Sequence, residues 1–434
     1  MAENSPANPV EFSNRLLAAQ YEPDVTPAKL FALHRSWDAA FGHQPRLQLR
    51  NTPGPADADR RLRIGFVSGD FNDHPVGYLT ARAIESLDPR ELEVFVYSDS
   101  EIDHPIAQRV RQAVGYWRDC AAWPDDRLIW RIDRDRIDIL VDLAGHTGPN
   151  RMTMFARKAA PLQVTWAGYP GTTGLSAIDA LVADRHLVPP GEDDCYIEQV
   201  IRLPSGFVCY DPPADAPAVS PLPAGDDRPL TFGAFHNPVK INAGVVRLWS
   251  RVMQEQPGSC IRFFYGGYHR PEVHDPIRDM FAHEGVGAER LDFRGYLPRS
   301  SYFDEFAKID LMLDPFPFSG GMITCDALWM GVPVVTLPGK TFAGRQSQSL
   351  LSTIGLPELI AATEDEYLAI IGSLAADRQR LGRLRADLRG LVRASPLCDG
   401  RQFARGFEAA LRALWRQVLR STDTAAPILG QAST

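Results

Sequence analysis

Residues 311–339 read LMLDPFPFSGGMITCDALWMGVPVVTLPG. A short apolar strand, Leu311–Leu313, runs into a turn rich in Pro and Gly, Phe316-Pro317-Phe318-Ser319-Gly320-Gly321. A helix over Thr324–Met330 follows, and the chain returns in a second apolar run, Val332–Thr336. Strand, glycine turn, helix and strand make up the unit of a parallel α/β sheet. Glycines in such a turn let backbone N–H groups approach a ligand, and a helix start favours a phosphate. Asp326 falls in the first turns of the helix, within reach of a ribose hydroxyl. A tight strand–helix turn whose acid complements the helix dipole is spelled the same way, so spacing alone leaves both readings open.

The alternation extends to both sides of this unit. Strands are expected at Leu230–Ala234, Cys260–Tyr265 and Arg290–Phe293, and helices at Asn242–Gln254, Pro276–Glu284, Ser301–Ala307 and Ser347–Ile354. Together they predict a Rossmann-like domain over 229–395. An earlier series, Leu62–Ser68, Leu92–Tyr97, Ile137–Leu143, Leu162–Trp166 and Ile178–Val182, predicts another over 61–204. Between them, 205–228 is rich in Pro, Ala and Asp and reads as a linker. Residues 1–60 read as a helical extension: Leu16, Leu17, Leu30, Phe31 and Leu33 cluster helically, Asp24-Val25-Thr26-Pro27 is a cap, and NTPGPADAD at 51–59 is a linker. A closing helix is expected at 396–420 and a disordered tail at 421–434. Two such domains leave a cleft, and ligands of open α/β sheets bind beyond the carboxyl ends of the strands.

Composition narrows the function. The chain has 434 residues, a hydrophobic fraction of 44% and a net charge of −8. This argues against a protein whose main task is gripping nucleic acid. No apolar run has membrane-helix length, and the first residues lack a basic-then-apolar signal pattern, so a cytoplasmic protein is expected. Its six cysteines show no metal spacing and read as reduced, buried thiols. Asp133-Arg134-Asp135 and Asp57-Ala58-Asp59 could hold a metal on a nucleotide, but both read as solvated polar runs. Five of the 46 basic residues are lysines, mostly a bias toward Arg, yet a retained Lys can mark a site that wants a compact ammonium. Lys240 opens a helix after a strand, where a cation opposes the dipole; an anion partner or a plain surface lysine both fit. His74 and His146 follow strand ends, where loop histidines serve either chemistry or capping. Trp166–Gly174 is a glycine-rich loop whose hydroxyls could meet a sugar or simply turn the chain.

Taken together, RIGFVSGDFNDHPVGYL, DILVDLAGHTGPNR, APLQVTWAGYPGTTG, FHNPVKI and LDPFPFSGGMITCDALWMGVPVVTLPG resemble the catalytic region of the protein O-GlcNAc transferase family, glycosyltransferase family 41, above all its SPINDLY-like and bacterial members. The resemblance runs in order from about residue 60 to 420. It implies a GT-B fold, two Rossmann-like domains facing across a cleft with a helical N-terminal extension. It also implies metal-independent, inverting transfer of GlcNAc from UDP-GlcNAc to Ser or Thr of protein, with no cofactor. By the same resemblance Lys240 contacts the donor diphosphate, Asn237 is a neighbouring polar contact, and Asp326 binds the ribose. Leu297, Arg299 and Tyr302 read the base, and His74 is the base candidate. His146 matches the SPINDLY-like pattern and joins the catalytic set, and Tyr169, Pro170, Thr172 and Thr173 face sugar and acceptor.

Gly320, Gly321, Met322 and Ile323 form the diphosphate loop, with Gly321-Met322-Ile323 where mammalian-type members carry His-Thr-Thr. Arg299 and Tyr302 replace a lysine and a histidine of the mammalian-type base site. The family's tetratricopeptide repeats are missing from this stretch, so a separate adaptor protein is one expected partner. Other functions kept open are O-fucosylation from GDP-fucose, transfer to a small molecule or glycan, and a non-catalytic sugar-nucleotide sensor or scaffold.

Overall fold

The computed structural model describes residues 8–424 apart from 46, 48, 51–56, 226, 227 and 296, and leaves out the side chains of 299, 300 and 421–424. Most of the 51–59 linker and the expected tail from 425 onward therefore lie outside the described residues.

The first sheet holds β1 (Leu62–Ser68), β2 (Leu92–Ser98), β3 (Tyr116–Asp119), β4 (Ile139–Asp142), β5 (Leu162–Thr165), β6 (Ala180–Ala183) and β7 (Gln199–Arg202) in the order β3-β2-β1-β4-β5-β6-β7. The second holds β8 (Thr231–Ala234), β9 (Cys260–Phe264), β10 (Leu291–Arg294), β11 (Leu311–Leu313) and β12 (Val334–Val335) in the order β10-β9-β8-β11-β12. All the strand pairings are parallel. Helices cover both faces of a parallel sheet, so a central strand must be apolar on both sides, and every residue of β4 is buried.

That rule explains what the sequence reading missed. β3 and β7 are sheet edges, and their spelling, YWRD and QVIR, mixes polar with apolar residues. β12 is shorter than the expected 332–336 because Pro333 has no N–H to give, and Thr336 forms only a bridge to Ile360. The helix expected from Pro276 begins at Pro271, which takes the first position, and Pro276 lies inside Pro271–His283. The one expected at Ser301–Ala307 is a short α-turn, Arg299–Tyr302, followed by a 3₁₀ turn, Phe303–Lys308.

The segment read as a linker is wedged rather than loose. Phe207, Val208, Cys209 and Tyr210 are buried. Cys209 and Asp211 donate backbone N–H bonds to Leu79 and Tyr78 carbonyls, and Tyr210 donates to Leu397. The closing helix, Gly400–Thr424, returns to the first sheet and packs Phe403, Phe407, Leu411 and Trp415 into its core. Trp166 lies against Phe403 at 5.4 Å and Phe407 at 5.0 Å between ring centroids. The N-terminal extension also belongs to this lobe: helices Pro9–Ala19 and Pro27–Trp37, the latter capped by Thr26 as expected, bury Leu16 and Trp37 beside Ile178 and Met154.

The returning helix is thus structural glue for the first lobe. Phe407→Ala is expected to cost about 3–5 kcal/mol through lost burial and a cavity. A fall in the urea midpoint with an unchanged far-UV spectrum in native buffer checks it.

Candidate functional site

The cleft opens at the carboxyl ends of both sheets, where open α/β folds collect their ligands. Helix Pro75–Glu85, after β1, packs against helix Met322–Trp329, after β11. Beside this contact lie two adjoining cavities of about 420 and 240 Å³. Both are lined by Pro75, Tyr265, Tyr302 and Met322; the larger adds Phe235, Phe264 and Ile323, and the smaller His74, Leu297 and Asp326.

The second lobe brings a charged floor to this cleft. Asp314, fully buried at the end of β11, accepts bonds from the Gly320 N–H at 2.7 Å and the Thr336 hydroxyl at 2.7 Å. Burial pushes its carboxyl up to about 6 against those bonds and the nearby Lys240 charge. Gly320 is required by close approach: a Cβ there would stand 2.3 Å from the Thr324 hydroxyl and 3.0 Å from the Asp314 carboxylate. Lys240 ends the 3₁₀ turn Pro238–Lys240, which Asn237 caps by accepting the Val239 N–H. Its ammonium donates to the Ser319 carbonyl at 2.7 Å and lies 4.0 Å from the centroid of the Phe318 ring. Desolvation lowers it to about 8, opposed by Asp314. Three of the four other lysines pair with carboxylates: Lys29 with Glu22, Lys158 with Asp179 and Lys308 with Glu305.

Gly321 starts helix Met322–Trp329 without a side-chain cap, so the first-turn N–H groups face the cleft end of the helix. Asp326 is buried one turn on and accepts from the Tyr210 hydroxyl at 2.7 Å and the Tyr302 hydroxyl at 2.8 Å. Tyr302, expected to read a base, thus also orients the acid. Met322 packs against the cores of both lobes, and Ile323 against that of the second. Where mammalian-type members carry hydroxyls, this chain places an apolar wall. The Arg299 side chain lies outside the described residues.

From the first lobe comes His74, half-exposed at the start of Pro75–Glu85. Its Nδ1 is 3.4 Å from the Val76 N–H and 3.6 Å from Asp70. Burial raises the Asp70 carboxyl while His74 pulls it down.

Three expectations need correction. His146 is fully buried, not in the cleft: its Nε2 donates to the Thr173 carbonyl at 2.8 Å, so its Nδ1 accepts from the Ser13 hydroxyl at 2.9 Å. With both nitrogens used and no water contact, it holds the N-terminal extension rather than a substrate. Thr172 and Thr173 turn inward: both hydroxyls donate to the buried Glu198, Thr172 at 2.6 Å. Tyr169 is buried too, its hydroxyl donating to His34 Nε2 at 2.7 Å, since His34 Nδ1 donates to the Leu30 carbonyl, and accepting from Gln20 at 3.2 Å. Of the loop, Pro170 lines a small crevice against Gln20 and His34, on the extension side. Asp133 and Asp135 also part company, Asp133 pairing with Arg50 and Asp135 with Arg131 and Tyr97. Among the described residues no group of three His, Cys, Asp or Glu is placed to hold a metal ion.

Sequence reasoning overlooked Asp314, His236, Tyr210, Tyr265 and Phe318. His236 and Phe318 stand inside the quoted motifs, whereas Tyr210 comes from the supposed linker and carries no local signal.

A sequence profile of glycosyl transferase family 41 matches residues 41–214 and 223–407. A SPINDLY protein of Petunia hybrida, described as a probable UDP-N-acetylglucosamine–peptide N-acetylglucosaminyltransferase, is 36% identical over 409 residues, 93% of this chain and 44% of its own length. The chain thus spans less than half of that curated relative. A lysine-to-methionine mutant of the Thermobaculum terrenum O-GlcNAc transferase superposes with a TM-score of 0.90 at 36% identity, covering 96% of this chain and 79% of that one. Anabaena HepE in complex with UDP shares the two-domain fold at a TM-score of 0.50 and 11% identity, covering 81% of this chain and 100% of that one. The fold is GT-B, as expected.

The buried histidines carry a pH signature. Burial lowers His34 to about 4 and His146 to about 3, whereas an unfolded histidine titrates near 6.5. Below that value the unfolded chain binds protons that the native one refuses, so stability is complete above about pH 6.5 and drains as pH falls. The loss is about 2 kcal/mol per histidine by pH 5, from the linkage of these shifts. Urea midpoints at pH 7 and 5 measure it, and His146→Gln, which keeps a donor and an acceptor but does not protonate, flattens the acid side.

Proposed function

The chain belongs to glycosyl transferase family 41, and on that footing we propose that it transfers GlcNAc from UDP-GlcNAc to Ser or Thr hydroxyls of protein, with inversion and without a metal. The observation that carries this reading is one uncapped helix start, Gly321–Ile323, whose Met322 and Ile323 line the cleft with Asp326 and His74, and one desolvated ammonium, Lys240, seated beside the same turn on the Ser319 carbonyl.

The acceptor oxygen attacks the anomeric carbon from the face opposite the nucleotide. The bond from that carbon to the diphosphate oxygen breaks, and its electron pair stays on the diphosphate. Lys240 and the helix N–H groups meet the growing charge, the work a divalent cation does in other transferases. Asn237 adds a polar contact beside Lys240. Asp326, held by Tyr210 and Tyr302, takes the ribose hydroxyls, and Leu297 and Tyr302 bound the base. The acceptor proton passes to His74, and the Asp70 carboxylate, 3.6 Å from its Nδ1, stabilises the imidazolium that forms. His146, Tyr169, Thr172 and Thr173 shape the first lobe from within. A fucosyl donor is the second reading, because the apolar wall of Met322 and Ile323 suits a sugar methyl group.

Thermal shifts with UDP, GDP, UDP-GlcNAc and GDP-fucose, each with and without EDTA, test the donor. A ligand at 100 times its dissociation constant adds about 2.7 kcal/mol. A UDP-selective, EDTA-insensitive shift supports the first reading, a GDP-selective shift supports the second, and no shift defeats both. Lys240→Ala is expected to fold normally and lose at least about 10²-fold in turnover, a loss typical of a transition-state charge contact. Lys240→Arg stays poor, since a planar fork replaces a point charge. The donor kcat/KM falls as pH rises through about 8, because the ammonium is charged below that value and neutral above it. Asp70→Asn is expected to lower kcat while leaving UDP binding unchanged, as measured by calorimetry.

A further inference from the structure

The N-terminal extension does more than pack on its own lobe. Between its two helices, at the turn after Ala19, consecutive side chains reach the two different lobes. Gln20, buried, donates to the Tyr169 hydroxyl in the first lobe at 3.2 Å. Tyr21 stacks on Phe318 of the second lobe's diphosphate loop, with ring centroids 4.7 Å apart and planes 11° apart. The same Phe318 ring lies 4.0 Å from the Lys240 ammonium. Phe318 is nearly buried although it sits in a loop, and Tyr21 is part of its cover.

We propose that Tyr21 is a positioning residue for Lys240: its ring pins Phe318, and Phe318 seats the ammonium at the Ser319 carbonyl and keeps water from it. The proposal rests on the transferase reading for its catalytic meaning, since Lys240 is there the group that meets the leaving diphosphate. The first lobe's extension thereby completes a site that otherwise belongs to the second lobe, which the cation and the helix start alone do not. Three groups face Lys240 from the elements around it. Asp314, at the end of β11, favours the charged form. His236, after β8, is buried and neutral. The aromatic pair excludes water and so disfavours the charge. Opening the Tyr21 cover rehydrates the ammonium, and its titration moves up toward the ordinary lysine value. Loss of the ring contact alone would move it the other way, but desolvation is the larger cause.

Two measurements separate this proposal from the functional reading. The first needs no substrate: acetic anhydride labelling of the full chain over a pH series, read by peptide mass spectrometry, gives the titration midpoint of each of the five lysines. Tyr21→Ala is expected to raise the Lys240 midpoint by about one pH unit, and Tyr21→Phe to leave it unchanged. Tyr21→Leu keeps the apolar bulk without the flat ring, and shifts Lys240 even if the alanine variant folds poorly. The other lysines serve as internal controls. The second is kinetic: Tyr21→Ala lowers donor kcat/KM about tenfold and shifts its alkaline limb upward, and Tyr21→Phe restores both, an effect of the size expected from a misplaced catalytic group. An unchanged or lowered Lys240 midpoint in the alanine and leucine variants overturns the proposal. Because labelling involves no sugar donor, it decides this point even where the wild-type chain transfers nothing.

Discussion

A fully buried carboxylate, Asp314, is the constraint on which the second lobe's wall of the cleft depends. Buried charge is costly unless bonds and opposite charge surround it. Here the Gly320 N–H, the Thr336 hydroxyl and the Lys240 ammonium nearby surround it. Satisfying Asp314 folds the turn back on itself, and only a residue without a Cβ fits at 320. That closure aims the start of helix Met322–Trp329 into the cleft and leaves the Ser319 carbonyl to receive Lys240. One buried acid therefore shapes the turn, the helix start and the cation together.

Interlobe contacts keep this arrangement facing the first lobe. Met322 joins the two cores, the 207–211 segment threads between them, and the closing helix carries second-lobe chain back to the first sheet. Polar links add to these, with Arg345 on Glu192 at 2.7 Å and Ser349 on Asp184. The cleft is consequently a groove between braced walls. In such a groove an ammonium of lowered proton affinity suits an anionic ligand, because an anion bound beside it restores the charge that burial had made expensive.

The glycine-rich loop at 166–174 illustrates the opposite economy. Its hydroxyls and its tyrosine resemble sugar contacts when read as a string, yet they are spent on Glu198, His34 and Gln20. A buried carboxylate inside the first lobe claims those donors before any ligand can. His146, next to the same loop, is likewise consumed by Ser13 and the Thr173 carbonyl. These groups anchor the N-terminal extension, and the extension then reaches Phe318 through Tyr21.

By itself the sequence determined the two parallel sheets, the order of their central strands along the chain, and the cleft residues that follow β1, β8 and β11. Those are local matters: apolar runs buried on both faces, glycine where backbones crowd, and loops at strand ends. It did not show β3 and β7, whose edge positions relax the apolar demand, nor the wedged path of 207–211. It also could not separate hydroxyls turned inward from hydroxyls offered to a ligand, because Thr172 and His146 gain their partners from Glu198 and Ser13, far along the chain. Only the tertiary structure decided which polar groups were already satisfied, since hydrogen bonding is settled by what lies within about 3 Å and not by what lies nearby in sequence.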